Sequence, residues 1–321
     1  MPSFKWKIEF ISVFLLLVCL PAIAQKSEKF YDYRWNECQP NMARFYSLMV
    51  ETDSGYIRND YFIHEKSIQM SGKFEDSQCK VKNGYFHFFH PNGVIESMGK
   101  YVHGEKDGLW LSYHENGMMQ DSTQYDHGSV IGTSLSWYAN GYLQDSTYLN
   151  DDGSGLRIGW FDNGSPSLAG ILASGEKPHG KWTFYHKNGQ ISAFETYSNG
   201  RLIDKKYFNE QGVEETDTTS KDRDAEFPGG NKAWQHYIRK KLYFPPNYNI
   251  VNSDSAIVVV DFVISEEGDV EHVYVSTPFF PAFDKIAQNA ILNSPKWVPA
   301  IRHNRKIKAY RKQSVTFSQY D

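Results

Sequence analysis

From residue 60 to 213 short runs carrying aromatic residues are each closed by a turn signal, a pattern that reads as strands joined in hairpins. The turn signal is Asn-Gly, and it recurs at Asn92-Gly93, Asn116-Gly117, Asn140-Gly141, Asn163-Gly164 and Asn188-Gly189, at intervals of 24, 24, 23 and 25 residues. Gly212, in "FNEQG", closes a sixth unit. An aromatic stands four residues before each of these glycines: Phe89, Tyr113, Trp137, Trp160, Tyr185 and Phe208. Another glycine stands nine residues before the first five: Gly84, Gly108, Gly132, Gly155 and Gly180. Tyr101, Tyr125 and Tyr197 follow three of the turns by eight residues. These registrations predict a repeat array with a period near 24. Each unit reads as strand, Asn-Gly turn with both residues at positive φ, strand, and a glycine-containing return loop. One hairpin is marginal alone, so the units are expected to stack into a continuous sheet, with Trp137 and its counterparts touching across neighbours.

Residues 226–321 follow a different pattern. "FPGG" (227–230) opens a helix in which Trp234, Tyr237, Ile238 and Leu242 fall at helical spacing, ending at "YFPP". Ala256, Val258, Val260, Phe262 and Ile264 then alternate along a strand, "SEEGD" turns, and "VEHVYVS" returns. Phe283, Ile286, Ala287, Ala290 and Ile291 mark a second helix, "WVPA" stops it, and a last strand carries Val315 and Phe317. The expected fold is therefore an all-β array of stacked hairpins followed by a small α+β domain, an antiparallel sheet with two helices. The domains expected are 1–24, a targeting segment; 25–59, an N-terminal cap region; 60–213, the hairpin repeats; 214–225, a polar linker ("EETDTTSKDRDA"); and 226–321, the α+β domain. A linker that short places the two domains close together.

The first residues narrow the compartment. Lys5 and Lys7 precede an apolar run over 10–20, and Ala22, Ile23 and Ala24 supply a small-x-small cleavage site with Gln25 as the first mature residue. From Glu9 to that site the run is about fifteen residues, short of the ~20 that span a bilayer. A cleaved signal peptide is the reading, and an uncleaved anchor the alternative. Val18 before Cys19 argues against lipid attachment. Export leaves Cys38 and Cys79, which are expected to form one disulfide in an oxidising compartment, two unpaired thiols being the alternative. Net charge is −4, with 16% aromatic residues, so nucleic acid is not an expected partner. The balance is uneven: 226–321 has 12 basic and 9 acidic residues, and 25–225 has net charge −8.

Candidate chemistry is sparse. His90, His114 and His186 share one repeat position, three before the turn glycine, and stacked histidines are metal-ligand candidates; polar hairpin tips are the plainer account. "GSGLRIG" (153–159) lacks the Lys-Ser/Thr of a phosphate loop, and "HEKSI" (64–68) lacks the second His of a zinc-protease motif. No nucleophile elbow or Cys-His arrangement is present, so neither catalysis nor a cofactor is expected.

Two resemblances add to these readings. "GLWLSYHENG" (108–117) and "GKWTFYHKNG" (180–189) resemble the MORN-like repeats of bacterial exported and antitoxin-type proteins, over roughly 60–215, with 60–76 a degenerate first unit. That resemblance implies a scaffold or binding surface with an unknown ligand. Pro228, Gly229 and Gly230, Tyr243 with Pro245, "IVVVDFVISEEGDV", Trp297 with Pro299 and Ala300, and the closing "SVTF" resemble the TonB C-terminal domain across nearly all of 226–321. "YFP" departs from the usual Tyr-Pro. The resemblance implies a periplasmic protein that binds the TonB box of an outer-membrane TonB-dependent transporter by strand addition, in support of transmembrane transport. The edge it implies is the final strand, 308–318, with Tyr243, Pro245, Lys308, Tyr310, Lys312, Ser314, Val315, Thr316 and Phe317 as partner-binding positions. The tract Arg302, Arg305, Lys306, Lys308, Arg311 and Lys312 would steer acidic partners or an anionic membrane, or else be a solvated face that discourages edge pairing. Energy transducers of this family also keep an uncleaved helix bearing a histidine, which 8–24 lack, and a Pro-rich spacer, whose place the repeats take. Inner-membrane motor proteins are therefore only a conditional partner. The runner-up reading is a structural or immunity-type repeat protein whose C-terminal domain only docks it.

Overall fold

A computed structural model describes residues 27–250 and 255–319. The proposed signal peptide lies outside them. No described helix is long and apolar enough to cross a membrane.

Sixteen antiparallel strands run in strict sequence order from Ser27–Tyr31 to Glu214–Glu215, forming one sheet. It begins earlier than the repeat signal, because the 25–59 region supplies three strands to the same sheet. The two ends of each hairpin turn differently from expectation. At the Asn-Gly end only the glycine is left-handed: Gly93 has φ 84, whereas Asn92 is not among the positive-φ residues. The Gly93 N–H donates to the His90 carbonyl and the His90 N–H to the Val94 carbonyl. That is a three-residue loop, a type I turn followed by a glycine bulge. Asn92 is chosen for its amide: Oδ1 accepts the Val94 N–H at 3.0 Å, and Nδ2 donates to the Glu115 carbonyl of the next unit at 2.8 Å. Asn116, Asn140, Asn163 and Asn188 repeat the inter-unit bond.

The return turns are made by other residues. His103 with Gly104, His127 with Gly128, and Asn199 with Gly200 all have positive φ at both positions, as a two-residue type I′ turn needs. The glycines expected in return loops instead lie inside strands. Gly84, Gly108, Gly132 and Gly180 sit where the pairing register slips, two extra residues on their strand bulging against the preceding one.

Each bulge aims the residue two positions on at the preceding strand. Trp110 lies over Gly99 and Trp182 over Gly170, where a Cβ would fall 2.3 and 2.0 Å from the indole. Both indole N–H groups reach a backbone carbonyl, Lys100 and Ile171, at 3.0 Å. Phe86 and Trp110, flanked by Tyr101 and Tyr125, thus form one buried cluster, and Trp182, flanked by Tyr197, belongs to a second. The aromatics expected there, Trp137 among them, are half-buried strand ends. In the central units the same face is polar, with Thr123 on Asp121, Thr147 on Asp145 and Arg157 on Asp145.

The C-terminal part has the expected order of helix, strand, strand, helix, strand. α1 (Gly230–Lys241) and α2 (Pro281–Leu292) cover one face of a three-stranded sheet, ordered Val270–Thr277, Ser255–Ile264, Ala309–Ser318. Val258, Val260, Phe262, Ile264, Phe283 and Ile291 fill the space between. A short hairpin not expected from sequence, Ala300–Arg302 with Arg305–Ile307, precedes the last strand. The sheet's second face is also covered: Val259 and Val263, which alternate away from the helices, are only 5% and 6% exposed.

The Cys38–Cys79 bridge expected from sequence is not formed; both thiols are free. The Cys38 N–H bonds to the Phe30 carbonyl, and Phe30 pairs with Tyr46, whereas the Cys79 sulfur lies 3.2 Å from the Met49 sulfur. Three strand residues, about 10 Å, separate those attachment points, more than a disulfide spans.

Candidate functional site

The repeat residue three before the turn glycine forms a column at the hairpin tips, and its members in the first, second, third and fifth Asn-Gly units bond to the next unit. His90 Nε2 meets the Tyr113 carbonyl at 2.9 Å, His114 Nε2 the Trp137 carbonyl at 2.9 Å, the Tyr138 hydroxyl donates to Trp160 at 3.0 Å, and His186 Nε2 meets Phe208 at 2.9 Å. The three histidines are therefore donors to backbone and do not converge as a metal set. A carbonyl acceptor fixes the proton on Nε2. Elsewhere, Asp107, Asp126 and His127 bring ligand-type atoms within 4.8 Å at the return turns, but His127 Nδ1 already pairs with Asp126 at 2.7 Å.

The column has one gap. Phe161 occupies the position in the fourth unit and has no donor for Tyr185, the next carbonyl in the series. Arg305 of the C-terminal hairpin supplies it. Its Nη1 donates to the Tyr185 carbonyl at 3.2 Å, to Ser167 Oγ at 2.7 Å and to the Ser167 carbonyl, while the guanidinium lies over the Phe161 and Phe184 rings. Arg305 is buried, and that burial pushes its pKa down to about 10, so it stays charged at neutral pH.

The contact extends along the array. His303 stacks on Phe184 at 3.8 Å and bonds Glu195 at 2.9 Å, Ser192 Oγ donates to the His303 carbonyl, and Asn304 donates to the Phe208 carbonyl. His303 and Asn304, both at positive φ, form the turn that carries these groups onto the sheet. Burial raises the Glu195 carboxyl, but hydrogen bonds from His303 and Tyr197 outweigh it and hold the pKa below its usual value. Lys308 reaches Asp162 at 2.7 Å and Glu271 at 2.9 Å, and Lys187 reaches Asp162 at 2.8 Å and Glu266 at 3.1 Å. Burial raises the Asp162 carboxyl too, and the two lysines overcome it. At the other end Arg44 lies 4.2 Å over the Phe279 ring, and His64 meets Phe279 and Phe280 edge-on. The C-terminal domain thus lies along the column of tips.

This placement revises the expected site. Lys308 precedes the last strand and is spent on the interdomain ion network, its side chain 9% exposed. Arg302 pairs with Asp224, Arg311 donates to the Ala225 carbonyl, Lys306 stands 3.8 Å from Glu210 and Lys312 3.5 Å from Asp261. The basic tract is therefore largely engaged within the molecule. Val315 and Phe317 point into the helix-covered core, 1% and 2% exposed, and offer no side chain to a partner. Tyr310, Lys312, Ser314 and Thr316 alternate onto the other face and are exposed. Tyr243 is exposed and Pro245 buried. Among the described residues the last strand has one neighbour in the sheet, Ser255–Ile264, leaving its outer edge unpaired. The sequence reading missed the 300–307 hairpin as a docking element; the break in the His/Tyr column at Phe161 is the signal that pointed to it.

Between tips and sheet lies a cavity of about 170 Å³, lined by His90, His114 and Tyr138 from the array and by Asp261, Tyr274 and Tyr310 from the C-terminal domain.

The repeats are similar to the MORN repeat variant family. That family model matches residues 106–127 and 178–199, two hairpins each carrying the bulge glycine, the buried Trp and the Asn-Gly turn. No curated protein matches the chain.

The Arg44 end of the contact carries a pH dependence. Asp284, near the start of α2, has its pKa pushed up to about 6 by burial, with Glu65 adding to the rise and Arg44 opposing it. Its Oδ1 accepts the Phe279 N–H at 2.8 Å. Because the folded carboxyl holds its proton more tightly than the unfolded one, its contribution is full below the unfolded value of 3.8 and is lost as pH rises through about 6. Asp284→Asn keeps the acceptor and removes the charge. It is expected to raise stability by about 1–2 kcal/mol near neutral pH and to change little near pH 4, as read by urea unfolding at the two pH values.

Proposed function

We propose that the protein is a non-enzymatic binding protein of the periplasm, exported by a cleaved signal peptide, in which a rigid hairpin array presents a TonB-type C-terminal domain to an outer-membrane transporter. The observation that carries the reading is the unpaired outer edge of the Ala309–Ser318 strand, in a domain whose sequence landmarks resemble those of the TonB C-terminal domain. A row of unpaired backbone groups is an aggregation hazard unless it is covered or used. An extended partner segment added there gains main-chain hydrogen bonds with little demand on its sequence. The exposed Lys312, Ser314 and Thr316 side chains would meet the partner's side chains on one face. With Lys308 held by Asp162 and Glu271, the usable stretch is 311–318 rather than 308–318.

The experiment is hydrogen exchange on the full chain with an extended peptide from the N-terminal plug segment of a transporter of the same envelope. Strand addition protects every second amide of 311–318, because alternate residues of a strand face the same edge. Protection elsewhere with none on this strand would sink the reading. The runner-up, a structural repeat protein whose C-terminal domain only docks it, is favoured by the extent of the interdomain contact. It forecasts no protection on the last strand with any such peptide.

A further inference from the structure

We propose that the cavity between the hairpin tips and the C-terminal sheet is a binding site for an organic cation, an alkylammonium or guanidinium group of single side-chain size. The inference does not depend on strand addition at the last strand. A volume of about 170 Å³ compares with the roughly 150 Å³ that admits a benzene-sized molecule. Three tyrosines, Tyr138, Tyr274 and Tyr310, supply aromatic walls, and aromatic faces attract cations through their quadrupole.

Several of the polar groups lining this space are acceptors. Asp261 is the strongest. Its Oδ2 is buried and accepts no hydrogen bond among the described residues; its ion-pair partner, the exposed Lys312 Nζ, stands 3.5 Å away, too far for an effective hydrogen bond. A buried carboxylate oxygen without a donor is costly, so the site is built to receive one. His90 and His114 spend their Nε2 protons on the Tyr113 and Trp137 carbonyls, which leaves Nδ1 of each ring as an acceptor. Glu115 also lines the space, as does Asp162, whose two oxygens are taken by Lys187 and Lys308. Of the two cations of the lining, Lys308 is held by Asp162 and Glu271, and Arg311 donates through Nη2 to the Ala225 carbonyl while its buried Nε has no partner among the described residues. The cavity's histidines and carboxylates are not among the described residues that converge tightly enough to chelate a metal ion. An extended, multi-donor organic cation meets separated acceptors better.

The test titrates the full chain with n-butylammonium chloride at constant ionic strength, followed by amide chemical shifts of the cavity residues, with 1-butanol and butyrate as probes of the same size. The expected result is saturable binding of the ammonium and none of the alcohol or the carboxylate. Asp261→Asn, which keeps shape and loses charge, is expected to weaken binding about tenfold or more. Lys312→Gln removes the competing cation and is expected to strengthen it severalfold, an effect that a merely structural role for Asp261 does not produce. N-acetyl-lysinamide separates two sources of the cation. Binding at least as tight as butylammonium indicates a side chain of a protein partner, and rejection of it while butylammonium binds indicates a free amine. Equal binding of butanol, no binding of any probe, or unchanged affinity in Asp261→Asn would overturn the proposal.

Discussion

Arg305→Met is expected to release the C-terminal hairpin from the repeat array and to cost the interdomain contact about 2 kcal/mol or more. Two terms oppose one another. Removing a buried guanidinium relieves its desolvation, which burial has already made visible as a lowered pKa. Against that, the Ser167 and Tyr185 carbonyls lose their interdomain donor, and each buried orphan costs roughly 1–3 kcal/mol. Arg305 has no carboxylate partner, so no second charge is stranded, and the carbonyl term decides the sign. The cation–aromatic contacts with Phe161 and Phe184 add to the loss. Phe161→His, alone, competes with Arg305 for the Tyr185 carbonyl. In the Arg305→Met background it restores the column's own donor. The pair should therefore be non-additive, with the double variant's array more stable than the sum of single effects, measurable by a double-mutant cycle in urea.

Trp182→Ala is expected to be the most damaging single change within the array. Trp182 is buried at the centre of a cluster with Leu149, Leu172, Phe184 and Tyr207, and its indole N–H satisfies the Ile171 carbonyl. Emptying such a site costs about 3–5 kcal/mol. Gly170→Ala attacks the same contact from the other side. Its new Cβ would lie 2.0 Å from the indole Cδ2, so the ring and the bulge that aims it must move. Both changes should be read by hydrogen exchange across 168–197 rather than by one melting temperature, because repeat arrays open locally and need not unfold as a unit. The variants are expected to speed exchange in that cluster while Met70, Phe74, Phe86 and Trp110, in the separate N-terminal cluster, keep their protection. Uniform loss across both clusters would contradict this division of the core by the polar units between them.

The repeat period, the hairpin stack and the C-terminal element order were legible because they rest on local signals. Asn-Gly at fixed spacing and alternation around Val258, Val260 and Phe262 each reflect neighbours within a few residues. The role of each repeat glycine was not. Gly108 and Gly104 both recur with the period, and only the pairing register separates a bulge from a type I′ turn. Which aromatics stack was misread for the same reason. A bulge shifts the side chains that follow it, so Trp110 faces the core and Tyr113 ends the strand. Interdomain docking was illegible in a stronger sense. Arg305 and Ser167 are 138 residues apart, and the run of cations around 302–312 looks like a free basic patch until its acceptors are known. The missing donor at Phe161 was visible as an exception, but its meaning needed the ladder of carbonyl bonds that the other column residues make.

The central claim is that the C-terminal domain completes the array at its one unfilled column position. Hydrogen exchange on the intact chain, comparing the protein with Arg305→Met, tests it most directly. The account predicts faster exchange on the repeat side, around Ser165 and Ser167 and from Ser192 to Glu195, as well as at His303 and Asn304, while Val258, Val260 and Val315 in the C-terminal core stay protected. Faster exchange confined to the 300–307 hairpin, with the repeat side unchanged, would contradict it.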